Sequence, residues 1–228
     1  MTAANGLPPR VRLFFSHAKK DGVPIATAAG DWMRARLHGF QAFYDTVDLD
    51  LSGDIDLQLQ SAIATAMVIV FRTEIFDQRY WCQKEVLWAE KHGRPMLAVD
   101  ARWQLQHAAS VITFDGAPAV RVPDGSFVRI FSVALHEAVR VEIFKLRVTL
   151  RKKVIPPSTA VACIPRCPSM VALGHACESL SQSGSAACCI VYPNPSLPAM
   201  MGEVIAYFVD KAVPGCRIMS FDEFTLLA

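Results

Sequence analysis

The chain has 228 residues, of which 52% are hydrophobic, and its formal net charge at pH 7 is +2. The hydrophobic content excludes a disordered polypeptide, and the small net charge gives no reason to expect direct binding to nucleic acid. No apolar run reaches the length of a membrane span, and residues 1–12 lack the apolar region of a signal peptide. We therefore expect a cytoplasmic α/β protein with no membrane partner.

The seven cysteines do not follow the ligand spacing of a zinc site. Cys163 and Cys167 are separated by three residues, Cys188 and Cys189 are adjacent, and the histidines are scattered. We expect reduced, buried thiols and no metal site.

Strands and helices alternate in the first half of the chain. Short apolar runs predict strands, and apolar positions at helical spacing predict the helices between them. The predicted strands cover residues 11–15, 41–45, 67–71 and 94–99, and the predicted helices cover residues 25–37, 55–66 and 77–92. This alternation with short connections predicts an open parallel sheet with helices on both faces.

The carboxyl ends of the predicted strands carry polar side chains, and ligands bind at this edge of open parallel sheets. Ser16 and His17 follow the first strand, Tyr44 and Asp45 end the second, and Arg72 follows the third. Arg72 is equally compatible with binding a phosphate and with an ordinary surface position.

The third predicted helix carries a carboxylate on its apolar side. Glu85 lies four residues after Trp81 and three before Trp88. The same arc contains Cys82, Val86 and Ala89. A buried carboxylate is costly unless another group pairs with it. Two interpretations stay open: a structural carboxylate paired with an amide or arginine, or a functional group on the ligand-binding edge.

Beyond residue 100 the pattern weakens, and a long helix follows. Residues 111–114 and 119–122 are predicted as short strands or extended segments, and Ser126 as the N-cap of a helix that runs to about residue 153. The apolar stripe of this helix is predicted to face the core, with an oligomer contact as the alternative. The stripe consists of Phe131, Leu135, Val139, Ile143 and Leu146.

Residues 154–159 are predicted as a boundary, which gives domains at residues 10–150 and 158–228. The second domain is a predicted βαβαβ unit, too small to bury a large core alone. Its strands cover residues 160–164, 186–192 and 216–220, and its helices residues 170–180 and 199–213. We interpret the proline-rich loop at residues 192–198 as a rigid connector, with a ligand-binding loop as the alternative.

Several common catalytic motifs are missing from the sequence. Neither GxGxxG nor GxxxxGK[ST] occurs, which disfavours the usual phosphate-binding loops, and no GxSxG motif supplies an acyl-transfer serine. Cys82 has no obvious activating base, so a packed thiol is the better interpretation. Glu85 remains as the candidate catalytic residue.

Three segments together resemble a TIR (Toll/interleukin-1 receptor) domain over about residues 10–150. They are Val11-Arg-Leu-Phe-Phe-Ser-His17, Ser52-Gly-Asp-Ile55 followed by Leu59 and Ala62-Ile63, and Tyr80-Trp-Cys-Gln-Lys-Glu85. They are similar to the strand-A segment of that family, its BB loop leading into helix B, and its WCxxE-type motif. The resemblance is closest to the bacterial and plant branches, many of whose members cleave NAD+ at the nicotinamide–ribose bond. It implies a flavodoxin-like sheet for this part of the chain.

The resemblance also implies roles for individual residues. Glu85 matches the family's catalytic glutamate, Tyr44 would stack on a ring of NAD+, and Trp81 would wall the pocket or pack in the core. The strand-A and BB loops would line the NAD+ site with Phe15, Ser16, His17, Ser52, Gly53 and Asp54. Plant-type members commonly carry serine where this chain has Ala66 and Arg72, so details of the pocket differ.

We therefore expect an NAD+ nucleosidase that releases nicotinamide and ADP-ribose or a cyclic isomer, with NAD+ as substrate and no cofactor. The resemblance further implies self-association through TIR domains and a role in bacterial anti-phage defence. A non-enzymatic TIR–TIR interaction module, in which Glu85 is structural, is the alternative. A third hypothesis is that residues 158–228 bind a partner or a nucleotide signal that controls the TIR domain.

Overall fold

A computed structural model of the chain describes residues 11–43, 54–102, 116–121, 126–185 and 187–227. Contacts divide the chain into two compact units, Met1–Ala138 and Val139–Ala228. The dividing point lies within the long helix, before the boundary predicted at residues 154–159. Within the described residues, no helix combines the length and apolarity needed to cross a bilayer.

The first unit contains a five-stranded sheet in which all neighbouring strands are parallel. Its strand order is β2-β1-β3-β4-β5, the flavodoxin-like order. The strands are β1 (Val11–His17), β2 (Phe40–Phe43), β3 (Met67–Arg72), β4 (Met96–Asp100) and β5 (Ala119–Arg121). The predicted open parallel sheet is confirmed. Ala119–Arg121 is a strand, while residues 111–114 lie outside the described residues.

Helices cover both faces of this sheet. They are α1 (Val23–Arg36), α2 (Ile55–Thr65), α3 (Tyr80–Lys91) and the first part of α4 (Phe127–Lys152). Because side chains alternate along a strand, Leu13 and Phe15 of β1 pack with α1 and α4, whereas Phe14 packs with α2 and α3. The two hydrophobic cores therefore lie on opposite faces of one sheet.

Local sequence explains where α3 begins and ends. Its predicted start at residue 77 is three residues too early, because Phe76–Gln78 forms a separate 3-10 turn and Arg79 is extended. The helix ends before Gly93, whose φ of 54° is a left-handed conformation that glycine adopts without strain.

The second unit is a three-stranded parallel sheet of order β6-β7-β8. Its elements are β6 (Thr159–Cys163), α5 (Met170–Gln182), β7 (Ala187–Tyr192), α6 (Ala199–Ala212), β8 (Arg217–Ser220) and α7 (Phe221–Thr225). One face packs against α5 and α6 through Cys188, Ile190 and Tyr192. The other packs against α7 and the second part of α4 through Cys189 and Val191. The predicted βαβαβ unit is present, and α7 is an addition that sequence patterns did not predict.

The predicted orientation of the stripe on α4 is wrong for four of its five residues. Phe131 is buried, but Leu135, Val139, Ile143 and Leu146 are 45–57% exposed. The helix is apolar on two opposite sides. The buried side consists of Ile130, Ala134, Val141, Phe144 and Val148.

Candidate functional site

A hydrogen bond between β1 and α3 joins two fully or nearly fully buried polar side chains. Ser16 Oγ donates to Glu85 Oε2 at 2.5 Å, with Ser16 0% and Glu85 4% exposed. Strand alternation places Ser16 on the same face as Phe14, which is the face covered by α3. Glu85 shares the buried stripe of α3 with Cys82, Val86 and Ala89. Its burial is therefore as the helical spacing predicts.

This pair lies where an open sheet of this order offers a ligand site. The chain leaves β1 toward β2 on one side and returns to β3 on the other, so the connections diverge between β1 and β3. Ligands bind in the crevice at the carboxyl ends of two such strands. Ser16 is paired in register with Val70 of β3, one residue before the end of β1. The Ser16–Glu85 pair thus lies at the switch point of the sheet.

The loops after β1 and β3 are tied together beside this pair. Thr73 Oγ1 donates to Asp21 Oδ1 at 2.7 Å, and the Ile75 amide donates to Asp21 Oδ2 at 3.3 Å. Asp21 therefore accepts from two donors of the second loop. Asp21 belongs to an Asp-Gly pair four residues after the end of β1, and a carboxylate in the loop after a strand is a signal in the sequence that could have identified it.

His17 and Phe15 alternate away from Ser16, onto the other face of the sheet. Phe15 is a core residue that packs edge-on against Phe71, with ring centroids 5.4 Å apart. His17 is buried, and its Nδ1 lies 3.1 Å from the Phe15 carbonyl oxygen. The structure therefore brings Ser16 to Glu85 but directs the side chains of its two neighbours elsewhere.

Gly22 holds the β1–α1 loop close to His17. A Cβ at Gly22 would lie 2.9 Å from the Ala18 carbonyl oxygen and 3.0 Å from the Cβ of His17. Real Cβ atoms do not make contacts this short with backbone atoms, so the loop requires glycine at this position.

The charged side chains at the ends of β3 and β4 each pair with an oppositely charged residue that follows the same strand. Arg72 Nε donates to both carboxylate oxygens of Asp77, at 3.1 Å and 3.0 Å, and the pair is largely buried. Asp100 accepts from Arg102 Nε and from a terminal nitrogen of Arg102, both at 2.8 Å. The hydrogen bonds from Arg102 hold the pKa of the Asp100 carboxyl below its usual range. Arg72 is thus bound by a carboxylate, which favours a structural role over phosphate binding.

The aromatic residues of α3 surround a lysine on the outer side of the helix. Lys84 Nζ lies 5.4, 4.9 and 5.0 Å from the ring centroids of Tyr80, Trp81 and Trp88 and also contacts Asp56 of α2. The hydrogen bond with Asp56 raises the pKa of Lys84. Trp81 is 44% exposed, so it does not pack in the core, and its role as a wall of the pocket stays a prediction. A tryptophan beside the buried stripe of a helix lies within reach of a lysine three or four residues away. Its ring can then contact the ammonium group of that lysine.

Of the residues that the resemblance assigns to a BB loop, Asp54 is described and has a helix-capping role. Its Oδ1 accepts a hydrogen bond from the Leu57 amide at 3.2 Å, which satisfies one free donor at the start of α2. Tyr44, Ser52 and Gly53 lie outside the described residues.

A cavity of about 510 Å³ lies between the edge strand β2 and helix α2. Its lining includes Gln41, Phe43 and Gln58, and none of its lining residues is Glu85, Ser16 or His17. This cavity is therefore not a binding site formed by Glu85.

Comparisons with known proteins leave the family open. No family model matches the chain, and no curated protein matches it. One solved structure with some likeness is a protein of Salmonella typhimurium LT2 that has been proposed to bind sugar, with 10% identity and a TM-score of 0.33. The likeness covers 92% of this chain and 77% of that one. At this TM-score it carries no argument about ligand or activity.

Proposed function

We propose that the chain is a TIR-domain NAD+ nucleosidase in which Glu85 is the catalytic carboxylate. It would cleave the nicotinamide–ribose bond and produce nicotinamide with ADP-ribose or a cyclic isomer. We infer this activity from the resemblance of three sequence segments to TIR domains. The observation that carries the proposal is the hydrogen bond from Ser16 to Glu85 at the switch point between β1 and β3.

The proposed reaction needs a negative charge next to the ribose. The bond between the ribose anomeric carbon and the nicotinamide nitrogen breaks, and its electron pair leaves with neutral nicotinamide. The remaining oxocarbenium-like ribose is stabilised by the Glu85 carboxylate more strongly than the ground state is. Water then adds to the anomeric carbon and loses one proton, which gives ADP-ribose. Attack by an adenine nitrogen in place of water would give the cyclic isomer.

Ser16 is a positioning residue in this scheme. Its hydroxyl donates to one oxygen of Glu85 and so fixes the plane of the carboxylate before substrate binds. A carboxylate fixed in this way needs little reorganisation as positive charge develops. Asp21, through Thr73 and Ile75, holds together the two loops that border the crevice.

The test measures nicotinamide release by the purified full chain. Glu85→Gln removes the charge with little change in volume, and we expect a loss of about 100-fold or more. Glu137→Gln is the matched control, because Glu137 is another buried glutamate of the first unit, 3% exposed. It should leave the rate within about twofold if the chain stays folded, which thermal unfolding of each variant monitors.

Two outcomes would contradict the enzyme. Nicotinamide release that is unaffected by Glu85→Gln would remove the role of Glu85. No release by the wild type at high NAD+ concentration, including after enforced self-association by a fused oligomerisation domain, would favour the non-enzymatic alternative.

That alternative is a TIR–TIR interaction module in which Glu85 is structural. The extreme burial of Ser16 and Glu85 favours it, because a satisfied buried pair also stabilises a fold without chemistry. Comparing wild type with the Glu85→Gln variant distinguishes the two functions. If the protein is an enzyme, the variant loses nicotinamide release but keeps its fold and self-association. If it is an interaction module, neither protein releases nicotinamide.

The proposed setting is the cytoplasm of a bacterium under phage attack, where NAD+ is abundant. This part of the proposal rests on the resemblance. All seven cysteines are free thiols, in agreement with a reducing compartment. We also propose that a partner or nucleotide signal acts on the second unit, which lies outside the segments that carry the resemblance.

A further inference from the structure

Two helices of the second unit each expose an apolar stripe to solvent. The α4 seam consists of Val139, Ile143, Leu146 and Leu150. The α6 seam consists of Met200, Met201, Val204, Tyr207 and Phe208. Every one of these side chains is at least 49% exposed. Contiguous apolar surface of this kind marks interaction sites.

Both seams have the spacing of helices that pack on other helices. Positions 139, 143, 146 and 150 follow steps of four, three and four residues, and positions 201, 204 and 208 follow steps of three and four. Such steps keep one narrow face of a helix in contact with a partner helix. The α4 seam lies opposite the side on which α4 buries Phe144 and Val148. The α6 seam runs along the flank of α6, beside the side on which Ile205 and Val209 are buried.

The charges beside the two seams are complementary. Residues 139–152 contain five basic side chains and one acidic side chain, whereas α6 contains two acidic side chains and one basic. Arg140 and Arg147 border one edge of the α4 seam, and Glu203 and Asp210 border one edge of the α6 seam. Both pairs are seven residues apart, which is about 10 Å along a helix, so they match in spacing. Two α4 seams would bring like charges together, which is unfavourable.

The helices that carry the two seams lie on opposite faces of the same sheet. α6 covers the face of β7 that carries Ile190, and α4 covers the face that carries Val191. A seam on one face cannot meet the complementary seam on the opposite face of its own unit. It can meet that of a second copy.

We infer that the second unit binds a second copy of this chain head-to-tail, with the α6 seam of one copy packed on the α4 seam of the next. This contact is heterologous, so each copy keeps one free seam after pairing and the association continues along an open chain. The inference concerns assembly and does not depend on the activity proposed for Glu85.

The test uses two full-length variants that each block one seam. Leu146→Glu places a charge in the α4 seam and Phe208→Glu places one in the α6 seam. Leu57→Glu, on an exposed apolar residue of the first unit, is the control. Molecular mass is measured against concentration by sedimentation, and circular dichroism monitors the fold of each variant.

We expect the wild type and the control to grow in mass with concentration. Each seam variant alone should associate at least about thirtyfold more weakly, because it buries an unpaired charge in the contact. An equimolar mixture of the two variants should form a one-to-one dimer and grow no further, since one intact α6 seam then meets one intact α4 seam.

Other results overturn the inference. Self-association retained by only the Leu146→Glu variant would indicate contact between two α6 seams, and self-association retained by only the Phe208→Glu variant would indicate contact between two α4 seams. Self-association retained by both variants would indicate contact through the first unit. A wild type that stays monomeric at high concentration overturns it as well. In that case, binding to vesicles of anionic lipid that Leu146→Glu abolishes would assign the basic α4 seam to a membrane surface.

Discussion

Ser16 and Glu85, 69 residues apart in sequence, share a buried hydrogen bond of 2.5 Å at the point where the sheet connections diverge. The bond satisfies a carboxylate that would otherwise be costly to bury on the apolar side of α3. It therefore contributes to the stability of the first unit, whatever the activity of the protein.

A double-mutant cycle measures this contribution. Ser16→Ala should destabilise the protein by about 1–3 kcal/mol, because it removes a donor from a buried carboxylate. The coupling between Ser16→Ala and Glu85→Leu should be about 1–3 kcal/mol in urea unfolding. Ser181→Ala, which removes an exposed hydroxyl from α5, should change stability by less than about 0.5 kcal/mol. A coupling near zero would show that the two side chains do not stabilise each other.

Gly22→Ala should destabilise the protein by about 1–3 kcal/mol, because its Cβ would overlap the backbone of Ala18 and press on His17. Gly39→Ala is the matched control, since a Cβ there meets nothing within 4 Å. We expect it to be neutral or slightly stabilising. Thermal unfolding compares the two, and equal effects would contradict the close approach at Gly22.

The Asp100–Arg102 pair should make stability depend on pH at the acidic end. Because the pKa of Asp100 is lower in the folded protein than its ordinary value of 3.8, the pair stabilises the fold above that value. This stabilisation is lost as the pH falls through the folded pKa. Arg102→Gln should cost less than about 1 kcal/mol at neutral pH, since the pair is partly exposed. The difference between wild type and variant should shrink toward zero below the folded pKa, as measured by urea unfolding. A difference that stays constant with pH would exclude this linkage.

Thiol reagents should label one cysteine of the folded protein rapidly. Cys167 is exposed, whereas burial raises the pKa of Cys163 to about 12 and that of Cys189 to about 11. Since the thiolate is the reactive form, these two should react far more slowly at neutral pH. Mass spectrometry after brief alkylation should show one added group, which Cys167→Ser removes, and seven after denaturation. Rapid labelling of several sites in the native protein would contradict the packing of the second unit.

Much of the fold follows from local patterns in the sequence. The alternation of strands and helices, the parallel sheet and the βαβαβ unit were predictable because apolar runs and helical spacing are local properties. The position of Glu85 on the buried side of α3 follows from the same periodicity. The same periodicity did not predict that Trp81 is exposed beside Lys84, or that Trp88 both contacts Lys84 and packs against the core.

Sequence alone thus determined the strands and helices of both sheets except α7, and that a carboxylate of α3 is buried near the carboxyl edge of the first sheet. Only the tertiary structure decided that Ser16 is the partner of Glu85, that Asp77 binds Arg72, and that the exposed side of α4 is the one bearing Leu146. The physical reason is that helical and strand periodicities depend on neighbours a few residues away. The choice of a partner, or of one of two apolar faces, depends on contacts between residues that only the folded chain brings together.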